Sequence, residues 1–154
     1  MPAIRSEPVA DDARPDKLSL VLFSGSFDKV HYALAMAAAA LAVNTPVTLF
    51  FTMGAARALL AEDASGPGWR HLHPTEDGLD ALTAEAALIA KHLGGFEELL
   101  SACTALGAQV MVCEMGLRAL SLEFSQLRPD VEITPGGLVT FLGDASKTGA
   151  MVFI

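Results

Sequence analysis

Five short apolar runs alternating with stretches of helical periodicity restrict this chain to a small set of folds. Residues 17–24, Lys-Leu-Ser-Leu-Val-Leu-Phe-Ser, are almost continuously apolar, the pattern of a strand buried on both faces. The run ends at Ser24-Gly25-Ser26-Phe27-Asp28, where Gly25 permits a tight turn and Ser26 or Asp28 can cap the next helix. Over 28–43, Val30, Leu34, Ala37 and Leu41 recur at helical spacing until Asn44 and Pro46 stop the pattern. A second buried strand is predicted at 47–52, a short helix at 55–61 after Met53-Gly54, a loop or insertion at 62–77, and a helix at 78–93 broken by Gly94-Gly95. Residues 96–106 are amphipathic, with Phe96, Leu99, Leu100, Cys103 and Leu106 on one face, and Gly107 is placed to end them. A third strand follows at 109–112, then one or two short helices to about residue 127 and a fourth strand at 131–134. Pro135-Gly136-Gly137 opens a helix striped by Leu138, Phe141, Leu142 and Ala145, with Lys147 in its last turn, and the fifth strand spans 150–154.

Such alternation predicts an α/β fold: a three-layer α/β/α sandwich with a five-stranded, largely parallel sheet. A length of 154 residues fits a single domain at 17–154, with 1–16 read as a disordered N-terminal tail. The composition is 52% hydrophobic and the mean hydropathy +0.43, yet the longest apolar run, 32–43, is shorter than the roughly 20 residues a membrane span requires. No membrane association is expected. The apolar excess goes to a doubly covered sheet, to a subunit interface, or to both, so a homo-oligomer is expected. A net charge of −8 with no basic cluster argues against nucleic acid. The first sixteen residues lack the apolar segment of a secretory signal, and two cysteines without paired spacing suit a reducing, cytoplasmic compartment.

In open parallel sheets ligands bind beyond the carboxyl ends of the strands. Ser24, Gly25, Ser26, Gly54 and Cys113 all fall there and are expected to share one rim. Cys113 stands where a strand hands over to a helix beginning at Glu114, a position whose free backbone N–H groups favour thiolate, although Glu114 opposes ionisation. The alternative is a small buried hydrophobe at a strand end. Cys103 and Cys113 lie too far apart along their elements to form a disulfide. His71 and His73, with Glu76 or Asp77, lack a third fixed ligand, so no metal is expected.

Gly25-Ser-Phe-Asp-Lys-Val-His31 resembles the start of the nucleotidyltransferase signature, but Lys29, Ala33 and Leu34 replace its proline, glycine and second histidine. A broader resemblance is to the DsrE/DsrF-like sulfur-relay family. It is carried by Leu20-Val-Leu-Phe-Ser-Gly25 with Asp28-Lys29 and Val47-Thr-Leu-Phe-Phe-Thr-Met-Gly54, then Phe96-Glu-Glu-Leu-Leu with Leu106-Gly-Ala-Gln-Val-Met-Val-Cys-Glu-Met115, and Val131-Glu-Ile-Thr-Pro-Gly-Gly-Leu-Val-Thr-Phe141. The resemblance implies that Cys113 is a persulfide carrier between donor and acceptor proteins, without a cofactor. It implies that Gly25, Gly54 and Gly137 are loop glycines around it. Ser24, Gly25 and the N–H groups from Glu114 and Met115 onward would then stabilise the anion. Gly116 departs from the Ser or Thr expected near that position, and the 71–93 region matches poorly. Two alternatives stand beside sulfur relay: a binding or scaffold subunit of the same fold with an inert cysteine, and nucleotide binding at Gly25–His31.

Overall fold

The computed structural model describes residues 13–154. Residues 1–12 of the expected tail lie outside them; of its last four residues, Arg14 donates to the Val43 carbonyl and Asp16 accepts from Ser146 Oγ. Five strands, β1 (Leu18–Leu22), β2 (Val47–Phe51), β3 (Gln109–Cys113), β4 (Ile133–Gly136) and β5 (Ala150–Phe153), form one all-parallel sheet in the order β4-β3-β2-β1-β5. The helices are α1 (Phe27–Ala42), α2 (Ala81–Ala90), α3 (Phe96–Ala105), α4 (Glu114–Ala119) and α5 (Leu138–Asp144), with 3₁₀ turns at Met53–Leu59, Gly68–His71 and Phe124–Gln126. The predicted α/β architecture with a five-stranded sheet is the observed one. No helix among the described residues is long and apolar enough to cross a membrane.

Alternation along each strand divides two cores. Leu18, Leu20, Leu22, Leu49, Phe51, Val110 and Val112 join α1 and α3 in the larger one, where Val30, Leu34, Ala37 and Leu41 are buried at the predicted spacing. Cys103 is wholly buried there, its thiol 3.4 Å from the Leu34 carbonyl and pushed up to about 11 by burial. On the opposite face, among the described residues, α5 is the helix that contributes to the core. Its Phe141 closes a smaller core with Val21, Phe50, Met111 and Cys113, the Phe50 and Phe141 rings stacking at 4.4 Å. The far end of α5 is tied down by Asp144, whose Oδ2 accepts from buried Thr48 Oγ1 and from Lys17 Nζ, both at 2.7 Å. Burial raises the Asp144 carboxyl pKa, but those two donors outweigh burial and hold it below the usual 3.8.

Several local expectations shift. The fourth strand is Ile133–Gly136 rather than 131–134, and it includes Pro135, which an edge strand tolerates because the missing N–H costs no ladder bond. The last helix stops at Asp144, so Lys147 lies beyond it, and of its predicted stripe only Phe141 is fully buried. Leu138, Val139 and Leu142 face outward instead. The helix expected at 78–93 is confined to Ala81–Ala90, begun by Asp80 accepting the Thr83 N–H, and the helix expected at 55–61 is a 3₁₀ segment, Met53–Leu59.

Candidate functional site

The strand register sets Leu22 beside Phe51, Phe51 beside Val112 and Cys113 beside Gly136, so the carboxyl ends of all these strands form one edge. Ser24, Gly25, Ser26, Gly54, Cys113, Glu114, Met115 and Gly137 are therefore gathered along it. What they do there differs from residue to residue.

Between β1 and β5, where the strand order reverses, the crevice is filled by the chain itself. The Phe23 and Ser24 amides both donate to the Ile154 carbonyl, at 2.8 and 3.1 Å. Ser24 Oγ accepts from the Ser26 amide at 3.2 Å, so the Ser26 amide is already paired. Ser26 holds the N-cap position of α1, but its side chain makes no capping bond. The 62–77 segment also crosses this edge: His73 donates its amide to the Gly25 carbonyl at 2.7 Å and accepts from the Phe27 amide at 3.0 Å. This strap was not foreseen, because nothing in the local pattern of His73 indicates a partner nearly fifty residues away.

Gly25 and Gly54 stand back to back. A Cβ on Gly54 would come within 2.8 Å of the Gly25 Cα, so these glycines let two loops touch. Gly116 serves the same purpose at the start of α4. A Cβ there would lie 2.6 Å from both the Met53 amide nitrogen and Thr52 Oγ1, leaving no room for the Ser or Thr of the family pattern. Gly137, the N-cap of α5, has open space where a side chain would begin, and Glu114 and Met115 are exposed.

Cys113 ends β3 and precedes α4 as expected, and its side chain makes no capping hydrogen bond. It is only 1% exposed, enclosed by Val21, Phe50, Met111 and Phe141. It lines none of the grooves found at Arg128, at Thr148 or between α1 and α2. Neither cysteine is in a disulfide. A thiol in these surroundings meets apolar atoms instead of solvent, a setting in which cysteines are inert until the cover moves.

Elsewhere, His71 pairs with Asp63 at 3.1 Å, and no group of three metal-ligating side chains occurs among the described residues. His31 donates from Nε2 to the Gly94 carbonyl at 2.7 Å, and Leu34, at the motif's second histidine position, is wholly buried. Burial pushes the Glu85 carboxyl above its usual 4.5, countered in part by the Phe96 amide, which donates to both carboxyl oxygens. Arg128 clamps Glu97 with two parallel bonds and reaches Asp130 as well, pinning the start of α3 to the segment before β4.

The fold and this edge define a parallel α/β domain with a single thiol at the strand rim. No protein-family model matches the chain, and no curated protein matches it. Among solved structures it is similar to the protein of unknown function MTH1491 from Methanobacterium thermoautotrophicum, at 12% identity and TM-score 0.53, covering 90% of this chain and 98% of that one. It is also similar to the ychN protein from E. coli, at 16% identity and TM-score 0.52, covering 89% of this chain and 97% of that one. At these identities the likeness concerns the fold.

Proposed function

We propose that this chain is a binding and assembly subunit built on the DsrE/DsrF-like fold, with Cys113 as part of its packing. The observation that carries this reading is the enclosure of the thiol, 1% exposed beneath Phe141. The engaged amides of Ser24 and Ser26 support it, since a sulfur anion would find those donors already paired. In native protein, iodoacetamide is expected to label Cys113 at least a hundredfold more slowly than it labels free glutathione. Incubation with glutathione persulfide is expected to add no sulfur by intact mass. A single added sulfur, lost in Cys113→Ser, would overturn the reading.

That outcome would favour a second reading, sulfur relay, which has its own support in the position of Cys113 at the carboxyl end of β3 under a cover of one short helix. The Cys113 thiolate would attack the terminal sulfur of a donor persulfide, forming one S–S bond as the donor's S–S bond breaks and its thiolate leaves. An acceptor thiolate would then take the same sulfur and release Cys113 as thiolate, with no net redox change and no cofactor.

Assembly belongs to the proposal because the face carrying α5 is incompletely covered. Phe23 and Phe153 form an exposed aromatic pair at 5.3 Å, and Met151, Leu142 and Val139, the last 86% exposed, extend the apolar surface. A second copy of the chain is the occupant this reading assigns. Light scattering behind size exclusion is expected to give a multiple of 16.1 kDa for the wild type and a monomer for Val139→Glu/Phe153→Glu. A monomeric wild type at tens of micromolar would end the assembly claim.

A further inference from the structure

The segment that resembled a nucleotide-binding signature lines a groove of quite different character. Between the first turns of α1, residues 75–79 and the stripe of α2 formed by Ala84, Ala87, Leu88 and Lys91 lies a cavity of about 320 Å³, within the size range of small-molecule sites. Its walls are mostly apolar: Phe27 and His31, whose rings lie 5.9 Å apart, together with Ala84, Ala87 and Leu88. Three residues around it, Tyr32, Leu79 and Leu93, are exposed at 66%, 44% and 53%, more apolar surface than the fold itself explains.

The charges around this cavity are two carboxylates, Asp28 and Asp77, against one ammonium, Lys91. No ion pair joins any of the three among the described residues. Asp28 is under-satisfied as well: among the described residues Oδ2 accepts the Glu76 amide at 3.2 Å and the enclosed Oδ1 has no hydrogen-bond partner. A carboxylate held at an apolar wall without an ion-pair partner favours a cation beside it, and an exposed tyrosine ring adds the face that organic ammonium groups prefer. A phosphate would meet the opposite field.

The geometry points to a binding site for a small apolar molecule bearing an ammonium group, its hydrocarbon part against His31 and Leu88 and its charge at Asp28. This site is remote from the smaller core and independent of whether Cys113 is reactive. The probes are phenethylammonium, 2-phenylethanol and 3-phenylpropionate, which share a ring and differ in charge. In ¹H–¹⁵N spectra the cation is expected to shift amides of residues 27–32, 75–79 and 84–93 saturably, binding at least tenfold more tightly than the alcohol, with the anion weakest. Asp28→Asn weakens it at least tenfold, Lys91→Gln tightens it a few-fold, and Ala87→Phe, on the exposed side of α2, blocks it. Equal binding of cation and alcohol, preference for the anion, shifts elsewhere, or no saturable shift would overturn the assignment. Should Asp28→Asn not fold, the Lys91→Gln and Ala87→Phe arms decide alone, and Cys113→Ser is expected to bind as the wild type does.

Discussion

Phe141→Ala is expected to lower the stability of the domain by about 3–5 kcal/mol, the usual cost of emptying a buried aromatic site, and Tm by roughly 10 °C. Its ring is 1% exposed and stacks on Phe50 at 4.4 Å. It is also the only fully buried side chain of α5, so no neighbour on that helix can move in to fill the space. The same substitution removes a wall of the Cys113 enclosure. Labelling of Cys113 by iodoacetamide is therefore expected to accelerate at least tenfold under native conditions. Cys103, buried in the other core with its pKa pushed up to about 11, serves as the internal control and stays protected. Chemical denaturation and peptide-resolved mass spectrometry read the two effects separately. A loss below 1 kcal/mol, or equal acceleration at both cysteines, would show that α5 is not the specific cover of the Cys113 site.

Gly116→Ser restores a hydroxyl type that the family pattern would place near the carrier cysteine, and here it is expected to cost about 1–3 kcal/mol through overpacking. The obstacle has two parts. Thr52 Oγ1 lies 2.6 Å from the position of the new Cβ, and so does the Met53 amide nitrogen. A side chain can be trimmed, whereas the backbone at Met53 cannot. Adding Thr52→Ala should thus recover less than half of the lost stability in urea unfolding. Full recovery would mean that the backbone yields freely, and wild-type stability in Gly116→Ser alone would mean that the α4 start is loosely packed. Either result would reopen the question of whether this loop can accommodate the family's hydroxyl.

Much of the architecture was legible from local pattern. Continuous apolar runs such as 17–24 and 47–52 became parallel strands because a strand covered on both faces needs no polar side, and the spacing of Val30, Leu34, Ala37 and Leu41 proved to be the buried stripe of α1. Errors gathered where a residue's partner is distant in the chain. Pro135 has the local pattern of a helix opener, whereas its tolerance in a strand depends on lying at the sheet edge, which strand order decides. Leu138 and Leu142 have the spacing of a core stripe yet are exposed, because periodicity reports that a residue is apolar, not that anything within the chain covers it.

The same division applies to the site. Hydrophobic period and turn chemistry act within a few residues, and they were enough to expect that Cys113 ends a strand, that a helix begins at Glu114, and that the loop residues Ser24, Gly25, Ser26 and Gly54 gather at one rim. Whether that rim is open depended on contacts spanning most of the chain: Ile154 against Ser24, His73 against Gly25, and Phe141 over Phe50 and Cys113. In a buried parallel strand both faces are apolar, so alternation cannot say which face of β3 receives a full helical layer and which receives one short helix. Only the packing of α5 against the sheet resolved that choice, and with it the burial of the sulfur.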